Sequence, residues 1–368
     1  MPIQTVSQAF SNEGVGGFTF RNKFINGAME IDQRNAGASV TPGTNSYTVD
    51  RWIVNNAASS KLTAQQSSTA PTGFTNSLLV TSTSAYTPSS VEPFYISQRV
   101  EGFNFADLAW GTANAKTVTL SFWVRSSLTG TFSGSFQNSL TDYSYPYTYT
   151  ISSANTFEYK TVTISPPTAG TWVGGTNGVG VRLYFSMGAG SSYQGTAGSW
   201  SVNDYRGATG ETRIVETNGA TFYITGVQLE VGSASTPFER RPYGMELALC
   251  QRYFEQWDAG SAYCPIPTAH IISGPAWTFS AVPRVQKRTV PTVSLSNSSG
   301  SSMFSSYGTN ASGAGFLWSG SLAVDTGSSG NIGIQIDSTL SGTGAGSPGS
   351  SVHNILRANQ WIRFSAEL

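Results

Sequence analysis

Four tyrosines at alternate positions carry the clearest potential for ligand chemistry in this sequence. They are Tyr143, Tyr145, Tyr147 and Tyr149. In an extended segment their rings would lie along one face, and Pro146 would confine that segment to a sheet edge or a loop. Flat aromatic rings beside hydroxyl and amide groups suit the stacking of sugar rings. The alternative is an edge strand that packs against the rest of the fold or against a neighbouring subunit.

Two further groups combine aromatic with polar residues. The first is Trp123, Arg182, Tyr184 and Glu230, and the second is Trp200 and Tyr205. Strand alternation places the first group on an outer sheet face, where an exposed tryptophan in mid-strand needs a ligand, a subunit or a loop to cover it. The second group falls in a glycine-rich loop at 195–210, which could bind a ligand or simply cover a sheet edge.

Catalytic chemistry has little support in the sequence. The two histidines, His270 and His353, fall in different predicted loops and form neither a metal cluster nor a nucleophile and base pair. A glycosidase would need two carboxylates about 5 to 10 Å apart. The candidates are Asp107, Asp142, Asp204 and Glu211, whose alternative roles are turns and surface solvation. We therefore expect no enzyme activity and no cofactor; a structural calcium ion is conceivable, but no calcium-loop spacing supports it.

The composition favours a folded β protein with a neutral surface. Of the 368 residues only 11% are charged, 12% are aromatic and 40 are glycine, which argues against disorder. Twenty Lys and Arg balance twenty Asp and Glu without a basic run, so that the charge pattern of nucleic-acid binding is missing. The first residues lack the features of a signal peptide, and no apolar run is long enough to cross a bilayer.

A series of short alternating segments predicts an antiparallel sandwich or jelly roll. The predicted strands are 77–83, 94–100, 117–125, 131–137, 157–164, 180–187 and 222–231. Turn-rich segments separate them, with no helical periodicity in between. In the third strand Val118, Leu120, Phe122 and Val124 form the dry face, which turns Trp123 outward. A second dry face consists of Val179, Val181, Leu183, Phe185 and Met187.

The segment 222–257 combines three local structures. Its strand stops at the breakers Gly232 and Pro237, and a helix over 245–257 is predicted because Leu249, Tyr253 and Trp257 lie on one stripe. Beyond it, loops rich in Ser, Gly and Thr separate short apolar runs, which predicts a second, smaller β domain. No repeat of fixed period suggests a long parallel β-helix.

Two segments resemble motifs of one protein family. One is 222–257, and the other is an opening block with Asn22-Lys23-Phe24-Ile25-Asn26-Gly27, then Gln33-Arg34, then Tyr47-Thr48-Val49-Asp50-Arg51-Trp52. Both resemble bacteriophage virion proteins of the tail-fibre or spike type, which contain a jelly-roll domain like a carbohydrate-binding module. The resemblance covers roughly the first two thirds of the chain. Its motifs look architectural: Arg51-Trp52 and Glu239-Arg240-Arg241 are expected to supply a buried aromatic ring and paired charges at the sandwich ends.

The resemblance implies an all-β protein with four parts: an N-terminal virion-attachment arm at 1–20, a jelly roll at 21–242, a short helical junction at 243–259 and a C-terminal β domain at 260–368. It implies a homotrimeric fibre or spike protein of the virion that attaches to host cell-surface polysaccharide, with its arm on other virion proteins. The alternatives are a purely structural head decoration, spike or tail-tip component and, third, a polysaccharide-degrading tailspike. Neither nucleic-acid binding nor membrane insertion is expected.

Overall fold

The computed structural model describes most of the chain. The described backbone comprises residues 20–258, 264–265, 270–273, 276–297, 303–309, 315–324, 334–341, 352–356 and 360–368, and the described side chains are those of 20–258, 282–294 and 361–368. The predicted arm at 1–20 therefore lies outside the described residues except for Phe20. The side chains of His270 and His353 lie outside them as well.

Residues 20–242 form an antiparallel β-sandwich, as predicted. Its strands are β1 Ser46–Tyr47, β2 Ile53–Asn55, β3 Leu62–Ser67, β4 Ser77–Ser82, β5 Pro93–Glu101, β6 Val118–Ser126, β7 Gly130–Gln137, β8 Ser144–Ile151, β9 Glu158–Ile164, β10 Val179–Ala189, β11 Gln194–Gly195, β12 Gly207–Ala208 and β13 Thr221–Val231. One sheet has the order β1-β2-β5-β10-β7-β8 and the other β3-β4-β13-β6-β9. The short strands β11 and β12 pair separately and in parallel.

The strand registers predicted from alternation are confirmed. On β6 the side chains of Val118, Leu120, Phe122 and Val124 are fully buried between the sheets, whereas Trp123 and Arg125 are partly exposed. On β10 the residues from Val181 to Met187 on the dry face are buried in the same way, and Val179 at the strand end is half-buried. Successive side chains of a strand point to opposite faces, so that apolar residues at every second position suffice to define the core.

The helix after the sandwich is shorter than predicted. Helix α1 covers Tyr243–Gln251, and Phe254–Asp258 forms strand β14 instead of continuing the helix to Trp257. This strand pairs with a strand at the C-terminus, Gln360–Ser365, and the Trp257 ring packs edge-on against Phe364 at 5.0 Å. A distant pairing partner thus overrides the local helical pattern, because the aromatic residues gain a partner in the sheet that an isolated helix does not offer.

The C-terminal part consists of two further antiparallel sheets. After β14 the strands are β15 Cys264–Pro265, β16 His270–Ser273, β17 Ala276–Ala281, β18 Thr292–Asn297, β19 Met303–Thr309, β20 Gly315–Val324, β21 Ile334–Ser341, β22 Val352–Leu356 and β23 Gln360–Ser365. Three of them pair in the order β14-β23-β18, and seven in the order β15-β22-β19-β20-β21-β17-β16. The all-β class with a helical junction and a smaller C-terminal β part is therefore confirmed. In the described part of the chain no helix is long and apolar enough to cross a membrane.

The opening block folds around the side chain of Asn26. Its amide donates to the carbonyl oxygens of Ile31 at 2.8 Å and Asp50 at 2.9 Å and accepts from the Ile31 N–H at 3.0 Å. The Trp52 indole is fully buried and donates to the Asn26 carbonyl at 2.9 Å. Buried polar groups of a loop need such partners, so these hydrogen bonds fix the conformation of the loop between Asn26 and Trp52. The architectural role predicted for Trp52 is confirmed.

Arg51 joins three separate parts of the chain. Its side chain is only 1% exposed, its guanidinium carbon lies 3.5 Å from the ring centre of Tyr253, and it forms an ion pair with Glu367. Arg34 also pairs with Glu367, at 2.7 Å, and lies 3.5 Å from the ring centre of Phe254. The opening block, the junction and the C-terminus therefore meet at two arginines and one shared carboxylate.

A second arginine cluster fixes the other motif. Arg241 donates to the carbonyl oxygens of Asn22 at 2.5 Å and Phe24 at 3.2 Å, and it pairs with the carboxylates of Glu239 at 3.1 Å and Glu246 at 3.3 Å. All three charged side chains are nearly buried. The motif at 239–241 thus ties the start of the sandwich to helix α1, as paired charges were expected to do.

Replacing Glu367 by glutamine should lower the free energy of unfolding by about 3 to 5 kcal/mol, because the buried Arg51 guanidinium then lacks its counter-ion. The matched control is Glu216→Gln, which removes a more exposed pair with Arg213 and should change stability by less than about 1 kcal/mol. Urea denaturation of both variants measures the difference. Equal losses would show that the Arg51 pair does not hold the C-terminus in place.

Candidate functional site

An open groove with exposed aromatic rings lies on the outer face of the five-stranded sheet. Its volume is about 630 Å³. The side chains that line it are the aromatic residues Phe74, Trp123, Tyr159 and Phe238, the hydroxyl residues Ser121, Ser235 and Thr236, and Arg240. Trp123 is the member of this set that the sequence predicted as a ligand contact. The groove thus offers flat rings and hydrogen-bonding groups on one open surface.

Strand pairing places two of the rings side by side. Trp123 on β6 is the Cα partner of Tyr159 on β9, and both side chains point away from the core. Their ring centres are 5.4 Å apart with an interplanar angle of 49°. Tyr159 is 43% exposed, and Trp123 is partly exposed. Directly opposed residues of an antiparallel pair share one face, so the two rings form a continuous aromatic surface.

A bulge in strand β13 makes room for the rings beside it. The pairing of β13 with β6 shifts register between Thr225 and Gln228, and Gly226 in the bulge has a φ of 61°. A Cβ at this position would lie 2.7 Å from the ring of Phe74 and 3.1 Å from that of Trp123. Glycine tolerates both the positive φ and the close approach, which explains its place under the groove.

One wall of the groove is the segment that follows β13. Phe238 packs edge-on against Phe74 with ring centres 5.2 Å apart. The guanidinium of Arg240 lies 4.7 Å from the Phe74 ring and 5.7 Å from the Phe238 ring, and it donates a hydrogen bond to the Gly73 carbonyl. These contacts join the segment to the loop before β4 and leave Arg240 exposed at the mouth of the groove.

Glu230 supports the groove wall and was wrongly predicted to contact a ligand. It is only 3% exposed. Its carboxylate accepts from the backbone N–H of Thr236 at 2.8 Å, from the Thr236 hydroxyl at 2.6 Å and from the Gln228 amide at 2.8 Å. Strand alternation correctly predicted the sheet face on which Glu230 lies. The segment after β13 folds back over this face and buries the carboxylate. Its role is to position Thr236.

Arg182 and Tyr184 do not join Trp123 and Glu230, contrary to the prediction. They lie on β10 in the six-stranded sheet, whereas Trp123 and Glu230 lie on β6 and β13 in the five-stranded sheet. Tyr184 is 3% exposed and donates to the Gln137 amide oxygen at 3.0 Å. Alternation predicts which side chains point outward but not which sheet a strand enters, so the four residues could not be assigned to one face from the sequence.

The tyrosine strand β8 is an edge strand as predicted, but its rings point into the core. Tyr145, Tyr147 and Tyr149 are 6%, 2% and 6% exposed, and Tyr147 donates to the Tyr184 carbonyl at 2.8 Å. Tyr143 at the strand start stacks on Trp200 with an interplanar angle of 6°. The ligand role predicted for Tyr145, Tyr147 and Tyr149 is therefore wrong and the packing alternative holds for them, whereas the role of the partly exposed Tyr143 stays a prediction. An edge strand still contributes one full face to the core, where large rings bury most area.

Trp200 and Tyr205 likewise cover the sandwich. The Trp200 ring lies 5.4 Å from Trp110 and 5.5 Å from Trp172, and its indole N–H donates to the Ser165 carbonyl at 2.8 Å. The Tyr205 ring packs on Gly195 so closely that a Cβ would not fit there. Both residues are partly buried. These contacts agree with the covering role weighed for this loop, and the ligand role of the two partly exposed rings stays a prediction.

The carboxylates considered for catalysis each have a separate partner. The hydrogen-bond partners are Lys23 for Asp107, Asn138 for Asp142 and Arg206 for Asp204. Glu211 is 9% exposed and accepts from the Ser186 hydroxyl at 2.8 Å, the Ala189 N–H at 2.7 Å and the Ser133 hydroxyl. Burial raises the pKa of Glu211, and these hydrogen bonds oppose the shift. Within the described ranges no group of three His, Cys, Asp or Glu side chains could hold a metal ion.

Sequence reasoning missed most of the groove. Tyr159 lay in a predicted strand and alternates with Thr161 and Thr163, a pattern that points outward, but its neighbour Trp123 depends on a pairing that the sequence does not reveal. Phe74 lies in a turn-rich segment without periodicity, so nothing local distinguished it. Arg240 was predicted to have an architectural role only.

Comparison of the sequence with protein-family models and with curated proteins gives no match. Several solved structures are similar. A sugar-binding protein from Bacteroides thetaiotaomicron is 13% identical with a TM-score of 0.35, over 57% of this chain and 100% of that one. A family 11 carbohydrate-binding module from Clostridium thermocellum is 12% identical with a TM-score of 0.26, over 55% of this chain and 100% of that one. The enzymatically active domain of tailspike protein 4 from bacteriophage CBA120 is 12% identical with a TM-score of 0.29, over 58% and 22%.

TM-scores this low indicate no function for this chain. Similarity to these structures spans a little over half of the chain in each case. The groove itself lies within residues 74–240, inside the sandwich.

Replacing Tyr149 by phenylalanine should raise the free energy of unfolding by about 1 kcal/mol, because its hydroxyl is buried without a hydrogen-bond partner in the described structure. Tyr147→Phe is the matched control and should lower it by about 1 kcal/mol, since it removes the bond to the Tyr184 carbonyl. Chemical denaturation measures both. A loss of the same size in the two variants would mean that the Tyr149 hydroxyl has a partner in solution.

Proposed function

We propose that this protein binds a glycan chain in the groove of Trp123 and Tyr159. The observation that carries the proposal is the pair of adjacent, partly exposed rings in an open groove of about 630 Å³. Sugar rings present C–H faces that stack on aromatic rings, and their hydroxyl groups need hydrogen-bond partners at the edge of the stack. The partly exposed residues Ser235 and Thr236 bring hydroxyl oxygens to the groove beside the rings.

The shape of the groove supports a polymer over a small ligand. Exposed rings in contact with one another on a sheet face are costly to leave in water and mark interaction surfaces. The groove is open to solvent and not an enclosed cavity, which suits a polymer that extends beyond it. Host-surface polysaccharide is the ligand class that we infer, with adhesion as the function.

We infer binding without a reaction. The groove lining contains one charged side chain, Arg240, and no carboxylate, histidine or cysteine. Glycoside hydrolysis in most families uses two carboxylates on either side of the scissile bond. A polysaccharide-degrading function is therefore the weakest of the three hypotheses for this groove.

We also propose that the protein is a phage fibre or spike component, homotrimeric, held in the virion by residues 1–20. The support is the resemblance of the opening block and of segment 222–257 to that family, together with the structural roles of Trp52 and Arg241 described above. A purely structural virion component is the alternative. It would share these motifs but would not need an exposed aromatic groove.

Replacing Trp123 or Tyr159 by alanine should weaken binding to host polysaccharide by about 1 kcal/mol each, or roughly fivefold in affinity, because each variant removes one stacking ring. The control is Tyr243→Ala on helix α1, which removes a ring that is 62% exposed and lies outside the groove. Affinity electrophoresis in gels cast with polysaccharide measures retention, and denaturation measures folding.

Stability should change little in Tyr159→Ala, because its ring is 43% exposed. If the two groove variants bind as well as Tyr243→Ala does, the groove is not the binding site. If Trp123→Ala and Tyr159→Ala both lose about 3 kcal/mol or more of folding stability without a change in binding, the rings are packing residues and the structural alternative is favoured.

Deleting residues 1–20 should leave the sandwich folded but prevent incorporation into particles, because the arm is proposed to dock on other virion proteins. Electron microscopy of particles assembled with the truncated protein tests the attachment. Sedimentation of the full chain should give three times the mass of one copy. Normal incorporation without the arm would contradict its assignment, and a stable monomer at micromolar concentration would contradict the trimer.

A further inference from the structure

Two guanidinium groups flank the aromatic rings of the groove face. Arg125 lies two residues beyond Trp123 on β6 and therefore on the same face of the sheet. Its guanidinium carbon is 4.9 Å from the ring centre of Tyr223 and 5.9 Å from that of Phe157. Its Nε atom is buried without a hydrogen-bond partner, and no ion pair involves Arg125 among the described residues. The positive charge of Arg125 therefore lies over the rings of Tyr223 and Phe157 without an ion-pair partner among the described residues.

Arg240 lines the groove together with Trp123, and its charge also lies over aromatic rings. It is exposed, it lies over the rings of Phe74 and Phe238, and its one hydrogen bond is to the Gly73 carbonyl. No carboxylate in the described structure is within ion-pair distance of it. The acidic group that interacts with it electrostatically is Glu30, which lines a second pocket of about 240 Å³ together with Phe238 and Arg240 itself.

The carboxylates nearest to this face have other partners. Glu230 binds Thr236 below the groove wall, and Glu239 binds Arg241. Glu158, next to Tyr159, pairs with Lys160 at 2.6 Å. Burial is the main reason that the pKa of Glu30 is raised, and Arg240 opposes that shift. The groove face therefore presents two guanidinium groups that form no ion pair among the described residues, although the whole chain has a formal net charge of zero.

We propose that the glycan bound in this groove is an anionic polysaccharide, with carboxylate or sulfate groups along its chain. The inference rests on the proposed function and adds its ligand class. A guanidinium binds such groups through two parallel N–H donors, and stacking on rings holds its plane in place for this contact. A chain whose sugars stack on Trp123 and Tyr159 would place its acidic groups toward Arg125 on one side or Arg240 on the other.

The test uses two pairs of polysaccharides that differ only in charge. One pair is polygalacturonate and its methyl ester, and the other is dextran sulfate and dextran. The full-length protein should be retained at least about tenfold more strongly by the charged member of one pair, since charge-assisted hydrogen bonds are the strong ones. The pair that shows the preference identifies the acidic group. Retention should fall as salt rises, because salt screens exposed charges.

Variants of the two arginines assign the effect to this face. Arg240→Gln should reduce retention by the charged polymer about tenfold and retention by the neutral polymer by a smaller factor, so that the preference for charge falls, and Arg240→Lys should restore part of that preference. Arg125→Gln should act in the same direction. The control is Arg213→Gln, which removes one positive charge outside the groove and should have no effect.

The outcomes separate this inference from the proposed function. Equal retention by charged and neutral polymers, with loss in Trp123→Ala, would overturn the anionic ligand but keep glycan binding. Equal losses in Arg240→Gln and Arg213→Gln would also overturn it, because the preference would then reflect the charge of the whole molecule. Absence of retention by every polymer would overturn both proposals.

Discussion

The buried guanidinium of Arg51 is the group on which the connection between the parts of this chain depends. Taking such a charge out of water costs several kcal/mol, and only a close counter-ion and further contacts offset the cost. Glu367 and the ring of Tyr253 supply these contacts, from positions far apart in sequence. The Arg51 charge in the sandwich is therefore paired only when the junction and the C-terminus pack against it.

The second arginine cluster connects this architecture to the groove. Arg241 is nearly buried and donates to the carbonyls of Asn22 and Phe24, whereas Arg240, the preceding residue, is exposed. The same short segment contributes Phe238 to the groove wall, and the carboxylate of Glu230 holds its start through Thr236. Buried polar contacts thus determine where the exposed ring and the exposed cation stand.

Many aromatic residues in the described part of the chain are buried in the core, and only a few are exposed. Tyr147 and Trp123 both lie on strands and both have polar neighbours, yet one is 2% exposed and the other is partly open to solvent. The difference is the face of the sheet on which each ring lies. Binding is proposed for the rings that remain exposed beside Gly226, where the bulge opens the sheet surface.

Alternation and turn residues act locally, and they sufficed to predict the all-β class and the registers of β6 and β10. The architectural roles of Trp52 and Arg51 were implied by the resemblance of the opening block. Which strands share a sheet follows from tertiary pairing and not from the local sequence. Pairing partners are distant in sequence, so Tyr184 and Trp123 could be predicted to point outward but not to lie on different sheets. The same reason ended helix α1 early, since the pairing of Phe254 with Ser365 outweighed the local helical pattern.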